Sequence, residues 1–264
     1  MIRKGIDTES LKRSFETSQN NYVRIDSLFE EDFIRQCEED FLKLDESDFF
    51  RYSEKYFEFD KFSLSNVEKM PDSLNRLFSY IHSQEFIEFV EKATGIEGLR
   101  IDQKRWGGGL HMTKPGGYLS IHKDFNVLPD SYANDTQLLR CVNLIGYLTD
   151  EEQSENDGQL EFWKDGDREK VEKVENSFNT WVLFDTRDCY HGHPYPFKGK
   201  KPRMSIASYY YVEEKVEEEK WSSTDYLKLP WMEESEEYKN RRIERSNPKI
   251  RYEKIFNEIS QKSK

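Results

Sequence analysis

Gly116-Gly117-Tyr118-Leu119-Ser120-Ile121-His122-Lys123-Asp124-Phe125-Asn126 reads as a short strand, 118–122, entered through a glycine pair and left through a polar turn. Working outward, further candidate strands fall at 99–105, 109–113, 138–148, 159–163, 171–175, 180–185, 190–193 and 203–212. They are brief, rich in Val, Ile, Tyr, Trp and Phe, and separated by Gly, Pro, Asn and Asp, which suits an antiparallel sandwich or jelly roll. Upstream the period changes. Phe29, Phe33, Cys37 and Phe41 recur every four residues within 28–44, Leu74, Leu77, Phe78 and Ile81 follow Pro71, and Phe86, Phe89, Val90 and Ala93 run up to Gly95, so three helices with one apolar stripe each are expected. Tyr22 to Asp26 suits a strand, and 45–71 suits loop with short strands. Helices first and strands later give an α+β fold with the helices packed on one sheet.

The chain has 264 residues, and 14% of them are aromatic, enough to fill a sizeable core and too many for a disordered chain. A formal net charge of -12 disfavours a nucleic-acid surface, which needs clustered Lys and Arg. The three cysteines, Cys37, Cys141 and Cys189, are far apart and form no CxxC pair. A disulfide framework is therefore not expected, and a reducing cytoplasmic compartment is. The N-terminus has no apolar signal region, and no apolar run approaches the ~20 residues of a membrane span. Residues 1–21 read as a polar extension and 213–264 as a charged C-terminal helical extension, with helices near 233–245 and 249–261. The segment between, 22–212, divides into a helical lead-in, 22–98, and a strand core, 99–212. Oligomeric state is not legible.

On a strand, residues i and i+2 share a face. His122 and Asp124 thus set an imidazole beside a carboxylate. A third ligand from another strand would complete two His and one carboxylate on one face of a metal, leaving three positions open, the pattern of non-haem Fe(II) oxygenases. The third ligand comes from Cys189-Tyr190-His191-Gly192-His193-Pro194, where His191 and His193 are two apart and either can serve. Arg203 opens the next apolar strand, Pro202-Arg203-Met204-Ser205-Ile206-Ala207. An inward Arg is costly unless it meets an anion, and its fork suits a carboxylate. Asn143, Ile145 and Tyr147 share strand parity and can line a pocket with it. His111 either contacts co-substrate or substrate or, on the plainer reading, is a satisfied strand histidine, and His82 reads as a structural one. Trp106-Gly107-Gly108-Gly109 lacks the Lys-Ser/Thr of a phosphate loop and reads as a turn near the mouth of the site.

These motifs, in order, resemble the prolyl-4-hydroxylase-like 2-oxoglutarate/Fe(II) oxygenases. Gly116 to Asn126 resembles the first ligand motif, and Arg140-Cys141-Val142-Asn143-Leu144-Ile145-Gly146-Tyr147-Leu148 the central strand. Gly158-Gln159-Leu160-Glu161-Phe162-Trp163 resembles the GG-x-L element, with Gln at the second glycine. Tyr190 to Pro194 and Pro202 to Ser205 resemble the distal-ligand and co-substrate motifs. The likeness spans about 100–212. It implies a double-stranded β-helix (jelly-roll, cupin-like) core, Fe(II) on His122, Asp124 and His191, and 2-oxoglutarate held at its far carboxylate by Arg203, with Ser205, Tyr147 and Asn143 beside it. It further implies O2-dependent hydroxylation of a peptidyl proline or a small molecule, release of succinate and CO2, and room for ascorbate as an auxiliary. Asp124 argues against a halogenase, which leaves the carboxylate out. A zinc hydrolase would give Arg203 no task. The competing reading is a non-catalytic jelly roll that binds a ligand or partner around a relic metal site.

Overall fold

The strand that carries His122 is longer than the spacing of its apolar residues suggests. The two expected strands 109–113 and 118–122 are one strand, β5 (Gly109–Lys123), bent at Lys114-Pro115-Gly116-Gly117. Gly116 takes a positive φ of 86°, which an L side chain rarely adopts, and its N–H bonds the carbonyl of Phe197 at 2.7 Å. The computed structural model describes residues 1–131, 135–149 and 158–248. In order they form α1 (Thr8–Thr17), β1 (Tyr22–Asp26), α2 (Glu31–Phe41), β2 (Phe50–Glu54), β3 (Glu58–Leu64), α3 (Asp72–Ile81), α4 (Gln84–Thr94), β4 (Arg100–Ile101), β5, β6 (Gln137–Tyr147), β7 (Leu160–Trp163), β8 (Val171–Val174), β9 (Thr180–Asp185), β10 (Tyr190–His193), β11 (Arg203–Glu214), β12 (Asp225–Tyr226) and α5 (Glu236–Ser246).

Every pairing is antiparallel, in the order β1-β9-β6-β11-β5-β10-β7-β8, with β3, β2, β12 and β4 attached at the sides. The bend lets β5 belong to two layers. Its first half pairs β11, and its second half pairs β10 and β12. This is the α+β jelly roll that the strand texture predicts.

Period-2 alternation decides what each face of the larger layer meets. Leu110, Val142, Leu144, Trp181, Leu183, Met204, Ile206 and Tyr210 pack with Leu74, Leu77, Phe78, Ile81, Phe86 and Val90 of α3 and α4 in one apolar core. The alternate residues, among them His111, Asn143, Arg203 and Ser205, line a cavity between the layers. At about 25 cal/mol per Å2 of apolar surface, the helix-facing side supplies the stability and frees the other side for polar groups.

Two further expectations shift. The strand expected at 99–105 stops at Ile101, because the Asp102 carboxylate accepts hydrogen bonds from the N–H groups of Lys104 and Trp106 and turns the chain. Residues 1–21, expected as a polar extension, contain a capped helix: Asp7 accepts from the N–H groups of Glu9 and Ser10, and Phe15 is buried in the core. Of the two C-terminal helices, α5 is seen, and the one expected at 249–261 lies outside the described residues.

His82 closes α3, with Nε2 2.8 Å from Ser208 Oγ on β11. Burial, with the nearby Arg105 charge, lowers its pKa from 6.5 to about 4. The unfolded chain therefore binds a proton that the folded chain refuses. Stability from this group is complete above pH ~6.5 and is lost as pH falls toward ~4, by about 3 kcal/mol. Denaturant melts at pH 7 and pH 4.5 should show this loss. His82→Gln, which keeps a partner for Ser208, should show a smaller one; equal pH sensitivity in both proteins contradicts the assignment.

Candidate metal centre

His122 and His191 stand directly opposite each other on β5 and β10, with ring centroids 4.5 Å apart. Each ring is fixed through Nδ1, His122 to the carbonyl of Ser120 at 2.9 Å and His191 to that of Cys189 at 3.2 Å. A carbonyl only accepts, so Nδ1 carries a hydrogen in both rings, and in the neutral tautomer this leaves Nε2 as the atom available to a metal. Tyr226 stacks on His122, and Phe184 lies against His191. Asp124, just past the end of β5, lies between the free nitrogens: Nε2 of His122 is 3.7 Å from Oδ1, and Nε2 of His191 is 3.8 Å from Oδ2. The three candidate ligand atoms lie within 4.8 Å of one another.

The electrostatics favour the metal-binding forms of Asp124 and His191. Burial pushes the Asp124 carboxyl up, but the Arg140 guanidinium beside it outweighs this and holds the group well below the ordinary carboxylate range. Burial and the neighbouring His122 lower the His191 pKa to about 4, so its Nε2 is unprotonated at neutral pH. Asp124 Oδ2 is buried without a hydrogen bond. Two imidazole nitrogens and an orphaned carboxylate oxygen, all facing one point, fit a divalent cation such as Fe(II), with one side of that point open to the cavity.

Arg140 is the functional residue that sequence reasoning missed. It is 1% exposed, its guanidinium is stacked between Phe125 and Tyr209, Nη2 donates to the carbonyl of Trp106 at 2.8 Å, and Nη1 lies 3.3 Å from Asp124 Oδ1. It therefore fixes the carboxylate rotamer. The signal was available, since Arg140 sits among the apolar residues Leu138, Leu139, Cys141 and Val142 of its strand, and the cost of burying a charge that applies to Arg203 applies here too.

Arg203 is buried at the far end of the same cavity, whose volume is about 750 Å3. Its Nε donates to the carbonyl of Gly158 at 2.7 Å, Nη2 to Tyr147 Oη at 3.3 Å and Nη1 to Ser205 Oγ at 3.5 Å. Ser205 lies directly across from Tyr147 between β11 and β6. Among the described residues no carboxylate pairs with Arg203. Asn143 lines the cavity, and its Oδ1 lacks a partner. His193 lines it too but stays outside the ligand cluster, with Nδ1 unpartnered. His111 is not the satisfied strand histidine of the plainer reading. Neither ring nitrogen has a partner, and the ring faces the cavity instead of a satisfied site. Gly107 and Gly108 lie at the cavity wall, whereas Gly109 begins β5.

Residues 108–211 match the model of the family described as the 2OG-Fe(II) oxygenase superfamily. A prolyl-4-hydroxylase from Pseudomonas putida aligns at 13% identity over 78% of this chain and 99% of its own, with a TM-score of 0.56. A prolyl hydroxylase from Trichoplax adhaerens, solved with a hypoxia inducible factor peptide fragment, aligns at 18% identity over 77% and 88%, TM-score 0.56. HygX from Streptomyces hygroscopicus, solved with nickel, 2-oxoglutarate and hygromycin B, aligns at 14% identity over 77% and 86%, TM-score 0.54. At these identities the structural likenesses establish the shared fold. No curated protein sequence matches the chain.

Proposed function

We propose that the chain, whose residues 108–211 match the 2OG-Fe(II) oxygenase superfamily model, is a hydroxylase that uses His122, Asp124 and His191 to hold iron and Arg203 to hold 2-oxoglutarate. The observation that carries this reading is the pairing, across one cavity, of a three-donor cluster with a buried guanidinium that no carboxylate among the described residues neutralises. When bound, Fe(II) and 2-oxoglutarate would supply the electrons that activate O2, the oxidant: one oxygen atom would go into succinate, formed with CO2 from 2-oxoglutarate, and the other into a C–H bond of the substrate.

The residues of the chain perform the rest. Ser120 and Cys189 carbonyls, through the Nδ1 hydrogens, aim both Nε2 lone pairs at one point. Arg140 holds Asp124 ionised and in place. Arg203, Tyr147 and Ser205 form a donor set for one carboxylate of the diacid, with Asn143 along its path and Ile145 and Leu160 supplying apolar wall that limits water. The remaining cavity, toward β2 and β3, is left for the substrate, a peptidyl proline or a small molecule. No described helix is long and apolar enough to cross a membrane.

Purified protein supplied with Fe(II), 2-oxoglutarate and air should release succinate, and omission of either cofactor should bring the release to background. Binding of both cofactors without any succinate, with or without added candidate substrates, would favour the non-catalytic reading.

A further inference from the structure

The alternation that turns Arg203 toward the cavity turns a second cation the same way. Lys61 on β3, Thr113 on β5 and Arg203 on β11 form one cross-strand row, and Ser63, His111 and Ser205 form the next. All six line the cavity. The Lys61 side chain is 14% exposed. Its Nζ lies 4.7 Å over the Tyr52 ring, and among the described residues it makes no hydrogen bond. The nearest carboxylate, Glu58, is 3.9 Å away and is already engaged more closely by Arg245 of α5. A largely buried ammonium without its own acceptor is expensive, and a ligand that supplies one relieves that cost. His111, one row along, presents two unpartnered ring nitrogens, and burial with the Lys61 and Arg203 charges keeps the ring neutral, able to donate one hydrogen.

Lys61 is not needed for the co-substrate. One whole strand separates its row position from that of Arg203, about 10 Å at ~4.8 Å per strand, and Arg203 has its own hydroxyl neighbours. The chain carries a formal charge of -12, yet the cavity is lined by six Lys and Arg side chains against the carboxylates of Glu58 and Asp124. The site thus presents a field opposite in sign to that of the molecule, which concentrates anions. A single ammonium with a neutral imidazole, and with Glu58 opposite, suits a singly charged carboxylate and disfavours a phosphate dianion.

We propose that Lys61, with His111 beside it, binds a carboxylate carried by the molecule that is oxidised, so that the substrate is a carboxylic acid and not a neutral peptide segment. This deepens the hydroxylase reading and rests on it. The test uses the protein with Fe(II), 2-oxoglutarate and a panel of N-acetyl amino acids, each supplied as the free acid and as its primary amide, with succinate release as readout. In the wild type at least one free acid should raise the rate and its amide should not. Lys61→Met should lower the response to that acid at least tenfold, and Lys61→Arg should restore most of it. Amides as effective as acids, no effective acid, or an undiminished response in Lys61→Met would each overturn the proposal. A 2-oxoglutarate requirement raised in Lys61→Met to the extent seen with an Arg203 substitution would place Lys61 in the co-substrate pocket and overturn it as well. Failure of the underlying reading is separable, because it appears in the wild type before any panel compound is added, as no dependence on Fe(II) and 2-oxoglutarate.

Discussion

Asp124→Asn should leave a folded protein that has lost more than ~100-fold in Fe(II) affinity and releases no succinate above background. Changing merely an outer partner of a metal ligand costs about 10–100-fold in affinity, so loss of the anionic donor itself exceeds that. The choice of Asn matters. Asp124 is the counter-ion of Arg140, whose guanidinium is buried between two rings. Asp124→Ala would strand that charge, at about 3–5 kcal/mol, and mix loss of metal with loss of fold. Asn keeps an oxygen acceptor for Nη1 and removes the negative charge. Fe(II) titration and succinate release, with circular dichroism as the fold control, measure the outcome. Near-wild-type Fe(II) affinity in the Asn variant would remove Asp124 from the ligand set.

Arg203→Met should raise the 2-oxoglutarate concentration needed for half-maximal turnover by two or more orders of magnitude. Truncating one partner of a desolvated, hydrogen-bonded charge pair costs about 2–5 kcal/mol, and each 1.4 kcal/mol is tenfold. Met keeps most of the volume of the side chain, which packs against Gly158 and the Tyr147 ring. Since Tyr147 Oη and Ser205 Oγ remain as weaker donors, residual turnover at high 2-oxoglutarate is expected. An unchanged requirement would take Arg203 out of the pocket.

The legible parts of this molecule were those in which local pattern and function coincide. His122, Asp124 and Arg203 stand out because a strand with period 2 has no structural use for an imidazole, a carboxylate or a guanidinium on its inner face. The bend in β5 was not legible as a continuous strand. Pro and Gly usually end a strand, and only the hydrogen bond from Gly116 to the distant Phe197 shows that the chain turns and continues. The choice between His191 and His193 depends on register, since a two-residue shift leaves parity unchanged and only the pairing with His122 separates them. The charge of Arg140 was legible, but its task was not: it depends on Asp124, Phe125 and Tyr209, which lie 15 or more residues away in sequence and meet it only in the fold. Lys61 was invisible because residues 45–71 have no clean period. The partners that turn its hairpin toward the cavity lie on β5.

The central claim is that one cavity binds iron and 2-oxoglutarate together. Anaerobic addition of Fe(II) to the protein in the presence of 2-oxoglutarate tests it most directly, read as visible absorption. A weak band should appear only with both present, saturate at one iron per chain, and be absent in Asp124→Asn. No band in the wild type, or an undiminished band in Asp124→Asn, would contradict the account.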